Sequence, residues 1–165
     1  MPQTPAKKVK VPKARQLQTA GWREWVSLPD LGLPKVKAKL DTGANYATLH
    51  AIKITPFEKN GKPYVRFTVH PEQYQNKSKQ VCEAPVVEMR SIKSSSGKAQ
   101  DRYVIRTTLD MGGEKWKIDL TLTNRMNMRY RMLLGRMSIK KRFLVCSSRS
   151  YLLQDEPQVN PLVKP

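Results

Sequence analysis

Lys39-Leu40-Asp41-Thr42-Gly43-Ala44 is the stretch whose residue types most plainly suit chemistry. Val36, Ala38 and Leu40 alternate with Lys35, Lys37 and Lys39, a period-two pattern that predicts a half-buried strand. Asp41 stands where that strand ends, and Gly43 permits a tight turn while the Thr42 hydroxyl can bond nearby backbone. A carboxylate placed there is aimed rather than packed. Far downstream, Met132-Leu133-Leu134-Gly135-Arg136 is a second apolar strand stopped by glycine. Asp-Thr-Gly after an apolar strand is the signature of aspartic peptidases. Metal-free peptide hydrolysis needs a water held between two carboxylates that share one proton, one acting as base and the other as acid. Taken alone, the triplet reads first as an ordinary strand-ending turn.

The elements that must position Asp41 are nearly all strands and turns. Trp22 to Leu28 alternates and ends at Pro29-Asp30-Leu31-Gly32-Leu33-Pro34. Strands are expected at Thr48 to Ile54, and at Ile52 to Phe57 paired with Tyr64 to Val69 around the hairpin signal Asn60-Gly61. Residues 71–80 read as a polar loop, Val81 to Met89 as a strand and Ser94 to Gly97 as a flexible loop. Tyr103 to Leu109 should pair with Trp116 to Leu122, and Phe143 to Cys146 and Tyr151 to Leu153 complete the set. A helical period is weak and follows Gly135. Many short strands predict an all-β barrel or sandwich.

Composition adds limits. The 165 residues suit one domain, 21–154, between a disordered basic tail (1–20) and a loose Pro-containing end (155–165). Cys82 and Cys146 stand apart, without zinc-knuckle or disulfide spacing. No apolar run has the length of a membrane span and no leader pattern opens the chain, so a cytoplasmic location is expected, without membrane attachment. Against 31 Lys and Arg stand 13 Asp and Glu, a field that attracts polyanions. Between Asp119 and Asp155 there is no acidic residue, while Arg125, Arg129, Arg131 and Arg136 fall there.

Read together in chain order, several stretches carry a resemblance. They are Gly21-Trp22-Arg23-Glu24-Trp25-Val26, the run Asp41 to Ala51, Arg90 to Ser95 with Gly97, Arg102 to Arg106, Thr121 to Arg125, and Arg131 to Arg136. Over about residues 21 to 153 the chain resembles the bacterial retropepsin-like proteins long labelled ATP-dependent zinc proteases, the RimB type that accompanies the glutamate ligase RimK. The resemblance implies an all-β, retropepsin-like closed β-barrel with one short helix after Leu134-Gly135-Arg136. It implies an aspartic endopeptidase with Asp41, Thr42, Gly43 and Ala44 at its centre. The chain departs from the family pattern at Asn45-Tyr46 and at Cys146.

No second Asp-Thr-Gly or Asp-Ser-Gly exists, and Asp110-Met111-Gly112-Gly113 lacks the hydroxyl. A homodimer supplying Asp41 twice is therefore expected, the alternative being an Asp41 that acts with His50 or a nearby Arg. The zinc and ATP labels find no support: His50, His70 and the cysteines are isolated, and no phosphate-binding glycine loop is present. No cofactor and no metal are expected. Because RimK-type ligases extend proteins with glutamate, an acidic or polyglutamylated tail is the implied substrate and RimK an implied partner. Arg125, Arg131, Arg136, Arg90, Lys93, Ser94 and His50 are the candidate contacts to it, Arg90 and Lys93-Ser94-Ser95 being placed on a loop. Arg136 reads equally as a dimer-interface ion-pair partner, His50 also reads as a satisfied, buried histidine, and Asn60-Gly61 is the candidate flap. The rival reading is a non-catalytic basic β-domain that binds RNA, the ribosome or the ligase.

Overall fold

Alternation along residues 23–41 builds the first two strands of the central sheet. Val26 and Leu28 on one, and Val36, Ala38 and Leu40 on the other, turn into the core, while Lys35, Lys37 and Lys39 face outward. The computed structural model describes residues 17–71, 79–93 and 97–153. Within them lie β1 (Gln18–Gly21), β2 (Arg23–Leu28), β3 (Leu33–Asp41), β4 (Ala47–His50), β5 (Ile52–Lys59) and β6 (Lys62–Val69). There follow β7 (Gln80–Lys93), β8 (Ala99–Met111), β9 (Glu114–Thr123), β10 (Met132–Gly135), the short helix α1 (Arg136–Ile139) and β11 (Phe143–Cys146). The fold is all-β with one short α-helix among the described residues. No described helix is long and apolar enough to cross a membrane.

Nine strands form one sheet in the order β2-β3-β10-β4-β9-β8-β7-β6-β5. A bridge between Ser27 and Asp110 also joins β2 to β8, so six of the strands run in a ring. The core contains Leu28, Leu33, Val36, Leu49, Ile105, Leu109, Leu120, Met132 and Leu134, all essentially without solvent contact. Burial of this apolar surface is the main force holding the ring. β5, β6 and β7 extend the sheet away from it. The Asn60-Gly61 turn forms as expected, with φ of 54° and 73° at the two residues and Lys59 opposite Lys62, the geometry a two-residue hairpin requires.

Three expectations need correction. Gln18 to Ala20, placed in a disordered tail, belong to β1, which pairs in parallel with β11 from Gln18↔Phe143 to Gly21↔Cys146. Residues 1–16 and 154–165 lie outside the described residues. Tyr151 to Leu153 do not form a strand. Tyr151 has φ 56° and donates its N–H to the Arg23 carbonyl, and the Leu153 N–H donates to the buried Glu24 carboxylate. Arg90 and Lys93, expected on a loop, lie in β7 opposite Arg102 and Ala99 of β8. A continuous antiparallel partner satisfies their backbone, which no loop would do.

Candidate active site

β3 and β10 run parallel, with Leu40 beside Leu134 and Asp41 beside Gly135. Asp41 leaves the sheet there, and the next five residues fold back over β10. The Gly43 N–H donates to Asp41 Oδ1 at 3.1 Å and the Ala44 N–H to the Asp41 carbonyl at 3.2 Å. The far side of the loop is fastened to the start of α1. Arg136 N–H donates to the Ala44 carbonyl at 2.7 Å, Met137 N–H to the Asn45 carbonyl at 3.1 Å, and Arg136 Nη2 to Asn45 Oδ1 at 2.7 Å.

Gly135 explains why this seat must be glycine. A Cβ there would come within 2.6 Å of the Tyr46 carbonyl carbon and 2.7 Å of the Asn45 carbonyl carbon. Close approach of two backbones is what the missing side chain permits. Asp41 is half-buried, whereas Thr42 and Gly43 are exposed on its outer side. One carboxylate oxygen is thus oriented by a backbone donor, an arrangement suited to taking a proton from water.

Strand alternation sets Lys39, two residues before Asp41, on the same face, opposite Leu133 of β10. Trp22, Lys39, Arg125, Arg129, Tyr130 and Leu133 line a pocket of about 340 Å³ on this face. Tyr130 is fixed by an edge-on contact with Trp22 and by a 3.3 Å hydrogen bond from Arg23 Nη1. Lys39 and Arg129, which line this pocket, are not among the candidate residues expected from sequence; the period-two pattern was the signal that could have placed Lys39 on this face.

His50 is 3% exposed. Its backbone N–H donates to the Arg131 carbonyl at 2.8 Å, and its Nδ1 accepts the Arg125 N–H at 2.9 Å. Burial, then the Arg131 charge, lowers its pKa, favouring the neutral ring that can accept this bond. His50 therefore positions the Arg125 segment instead of facing an open cleft. Arg102, also overlooked, is 7% exposed and donates from Nε to Gln100 Oε1, which Thr123 Oγ1 also reaches. Burial, then the neighbouring Arg125 charge, lowers its pKa.

Arg90 lies on β7, bonded to Glu88, with its Cζ 4.4 Å above the Tyr46 ring. That contact ties the β7–β8 pair to the Asp41 loop. Asn60-Gly61 instead closes the hairpin at the outer edge of the sheet, since β5 is the last strand in the order. Lys93 ends β7, and Ser94 lies outside the described residues. Among the described residues no group of three or more His, Cys, Asp or Glu side chains could hold a metal ion.

The family model described as RimB-like, retropepsin-like aspartic endopeptidase RimB, matches residues 19–156. The chain belongs to the RimB-like family. The match includes the Asp41 loop, the Gly135 seat and all of β1 but Gln18, the strand placed mostly in a tail by composition. Among similar proteins, a "Probable alpha-L-glutamate ligase" of Shewanella pealeana is 45% identical over 136 residues, 82% of this chain and 30% of that protein. One of the same description from Parasynechococcus marenigrum is 47% identical over 135 residues, 82% of this chain and 29% of that one. This RimB-like chain thus spans about 30% of the length of the curated relatives it matches. The crystal structure of Lpg0085 from Legionella pneumophila, a protein of unknown function, superposes with a TM-score of 0.71 at 33% identity, covering 83% of this chain and 98% of that one.

Proposed function

We propose that this RimB-like chain is an aspartic endopeptidase in which Asp41 activates water, and that a second copy supplies the other carboxylate. The observation that carries the reading is the seating of the Asp41 loop on Gly135, with Oδ1 held by the Gly43 N–H. Exposed Thr42 and Gly43 leave the outer side of the loop open to such a copy. In the hydrolysis, the ionised Asp41 takes a proton from water as its oxygen bonds to the carbonyl carbon, and the protonated Asp41 gives its proton to the carbonyl oxygen. Breakdown of the tetrahedral species breaks the C–N bond, with a proton passing to the leaving nitrogen.

The substrate proposed is an acidic or glutamate-tailed polypeptide in the cytoplasm. Lys39, Arg125 and Arg129 gather on the Asp41 face, where they would meet carboxylates. The relatives named glutamate ligases support the same substrate class, because each carries a stretch like this chain within a protein named for joining glutamate. A ligase of that kind is the partner proposed.

Subunit mixing tests the shared site. If both aspartates serve one site, adding an equal amount of Asp41→Asn chain to a fixed amount of wild type, with exchange, lowers cleavage to roughly half. Cleavage that stays unchanged through complete exchange contradicts the two-copy site.

A further inference from the structure

A second basic surface lies beside the Asp41 loop. A groove of about 710 Å³ starts at Asn45 and Tyr46 and runs between α1 and β9. Arg90, Arg106, Lys117, Lys140 and Arg142 line it, against the single carboxylate of Asp119. Arg90 is already paired with Glu88, Arg106 with Asp119 at 2.9 Å, and Lys117 with Asp30 at 2.8 Å. Among the described residues, Lys140 and Arg142 are left to carry the uncompensated charge.

Resting on the peptidase reading above, we propose that this groove is an exosite for the part of an acidic polypeptide that extends away from the scissile bond. The aromatic residues decide between an acidic peptide and a nucleic acid. Single-stranded nucleic acids need open aromatic faces on which bases stack. Here Arg90 covers Tyr46 at 4.4 Å and Arg142 covers Trp116 at 4.7 Å. The indole is further fixed by its Nε1–H bond to the Ser138 carbonyl at 2.9 Å and by Phe143 against its ring. Of the two guanidinium groups, that of Arg90 already donates from Nε to Glu88, whereas Arg142, over Trp116 and without a carboxylate partner among the described residues, keeps the fork that receives a carboxylate in a paired geometry. Side-chain carboxylates along an extended chain match Lys140 and Arg142, which line the groove together. The groove therefore extends the basic surface beyond the pocket beside Lys39, along the side of the loop turned toward α1.

The test uses the full chain carrying Asp41→Asn, so that binding is read without cleavage, and fluorescence anisotropy with labelled hexaglutamate, hexaglutamine and hexauridylate. Hexaglutamate should bind and hexaglutamine should not. Lys140→Gln with Arg142→Met, the methionine preserving cover over Trp116, should weaken hexaglutamate about tenfold or more. Lys59→Gln with Lys62→Gln, on the far hairpin, should change it little. Unaltered hexaglutamate affinity in the Lys140/Arg142 variant, with its melting temperature intact, overturns the proposal. So does hexauridylate binding as tightly with the same sensitivity. If the wild type cleaves nothing while this binding profile holds, the peptidase reading fails and the exosite stands. If glutamate-tailed protein is cut with unchanged KM by the Lys140/Arg142 variant, the exosite fails and the peptidase stands.

Discussion

Gly135 stands beside Asp41 across the parallel β3–β10 ladder, and the backbone that follows Asp41 lies directly on it. The Asp41 carboxylate and the glycine that seats its loop are therefore one structural unit, contributed by strands about a hundred residues apart in the chain.

Gly135→Ala follows from this. The added methyl meets carbonyl carbons of Asn45 and Tyr46, which are backbone and cannot rotate away. The loop must lift, at a cost of about 1–3 kcal/mol. A lowered melting temperature with intact far-ultraviolet circular dichroism, and cleavage falling by a larger factor than stability explains, are expected. An alanine variant as stable as wild type would show that the loop does not sit as described.

Glu24 gives a pH-dependent prediction. It is 1% exposed, and its Oε1 accepts N–H bonds from Gly21 at 3.3 Å and Leu153 at 3.0 Å. Burial raises its pKa above 4.5. A raised carboxyl pKa contributes stability below the unfolded value, and that contribution is lost as pH rises through the folded value. Glu24→Gln keeps an acceptor without the buried charge, so it should match or exceed wild-type melting temperature at pH 7 and converge toward it near pH 4. Glu24→Ala should lose about 1–3 kcal/mol, because buried donors lose their acceptor.

Asp30 behaves oppositely. Hydrogen bonds from Lys117 at 2.8 Å and from the Thr108 hydroxyl and backbone N–H lower its pKa to about 2. The stability this provides is present above the unfolded value of 3.8 and is lost as pH falls through about 2. Since Asp30 and Lys117 are each about half exposed, solvent screening limits the contribution to about 1 kcal/mol or less. Urea midpoints of wild type and Asp30→Asn should differ at pH 7 and coincide near pH 2.

The thiols should separate by reactivity. Burial pushes Cys82 up to about 11, whereas the Ser148 hydroxyl, with backbone donors behind it, lowers Cys146. Because the thiolate is the reactive form, iodoacetamide at pH 8 should label Cys146 first and Cys82 only as the chain unfolds. Peptide mapping that finds Cys82 labelled in the native state would contradict its burial under Leu31.

Local chemistry made much of the fold legible in the sequence. Alternation marked β2 and β3, Asn60-Gly61 marked its hairpin, and glycine after Leu133-Leu134 marked the end of β10. What escaped was non-local. β1 has a polar, Gln-containing sequence and becomes a strand only because β11, far along the chain, offers a parallel edge. Residues 151–153 look β-forming, yet hydrogen bonds to Arg23 and Glu24 hold them in a turn. At the site, Asp41 and its turn were readable because strand end and glycine are adjacent. Lys39 was hidden in plain alternation, and Arg102 reads as a surface cation until β7 and β9 enclose it. His50 was recognisable as buried, although its service to the Arg125 backbone needed coordinates.

The most direct test of the peptidase account is mass spectrometry of a polyglutamylated protein, and of the same protein unmodified, incubated with wild type and with Asp41→Asn. Wild type should shorten the glutamate tail and leave the unmodified protein whole, and the Asn variant, folded and dimeric, should cut neither. Equal shortening by the Asp41→Asn chain would contradict the account.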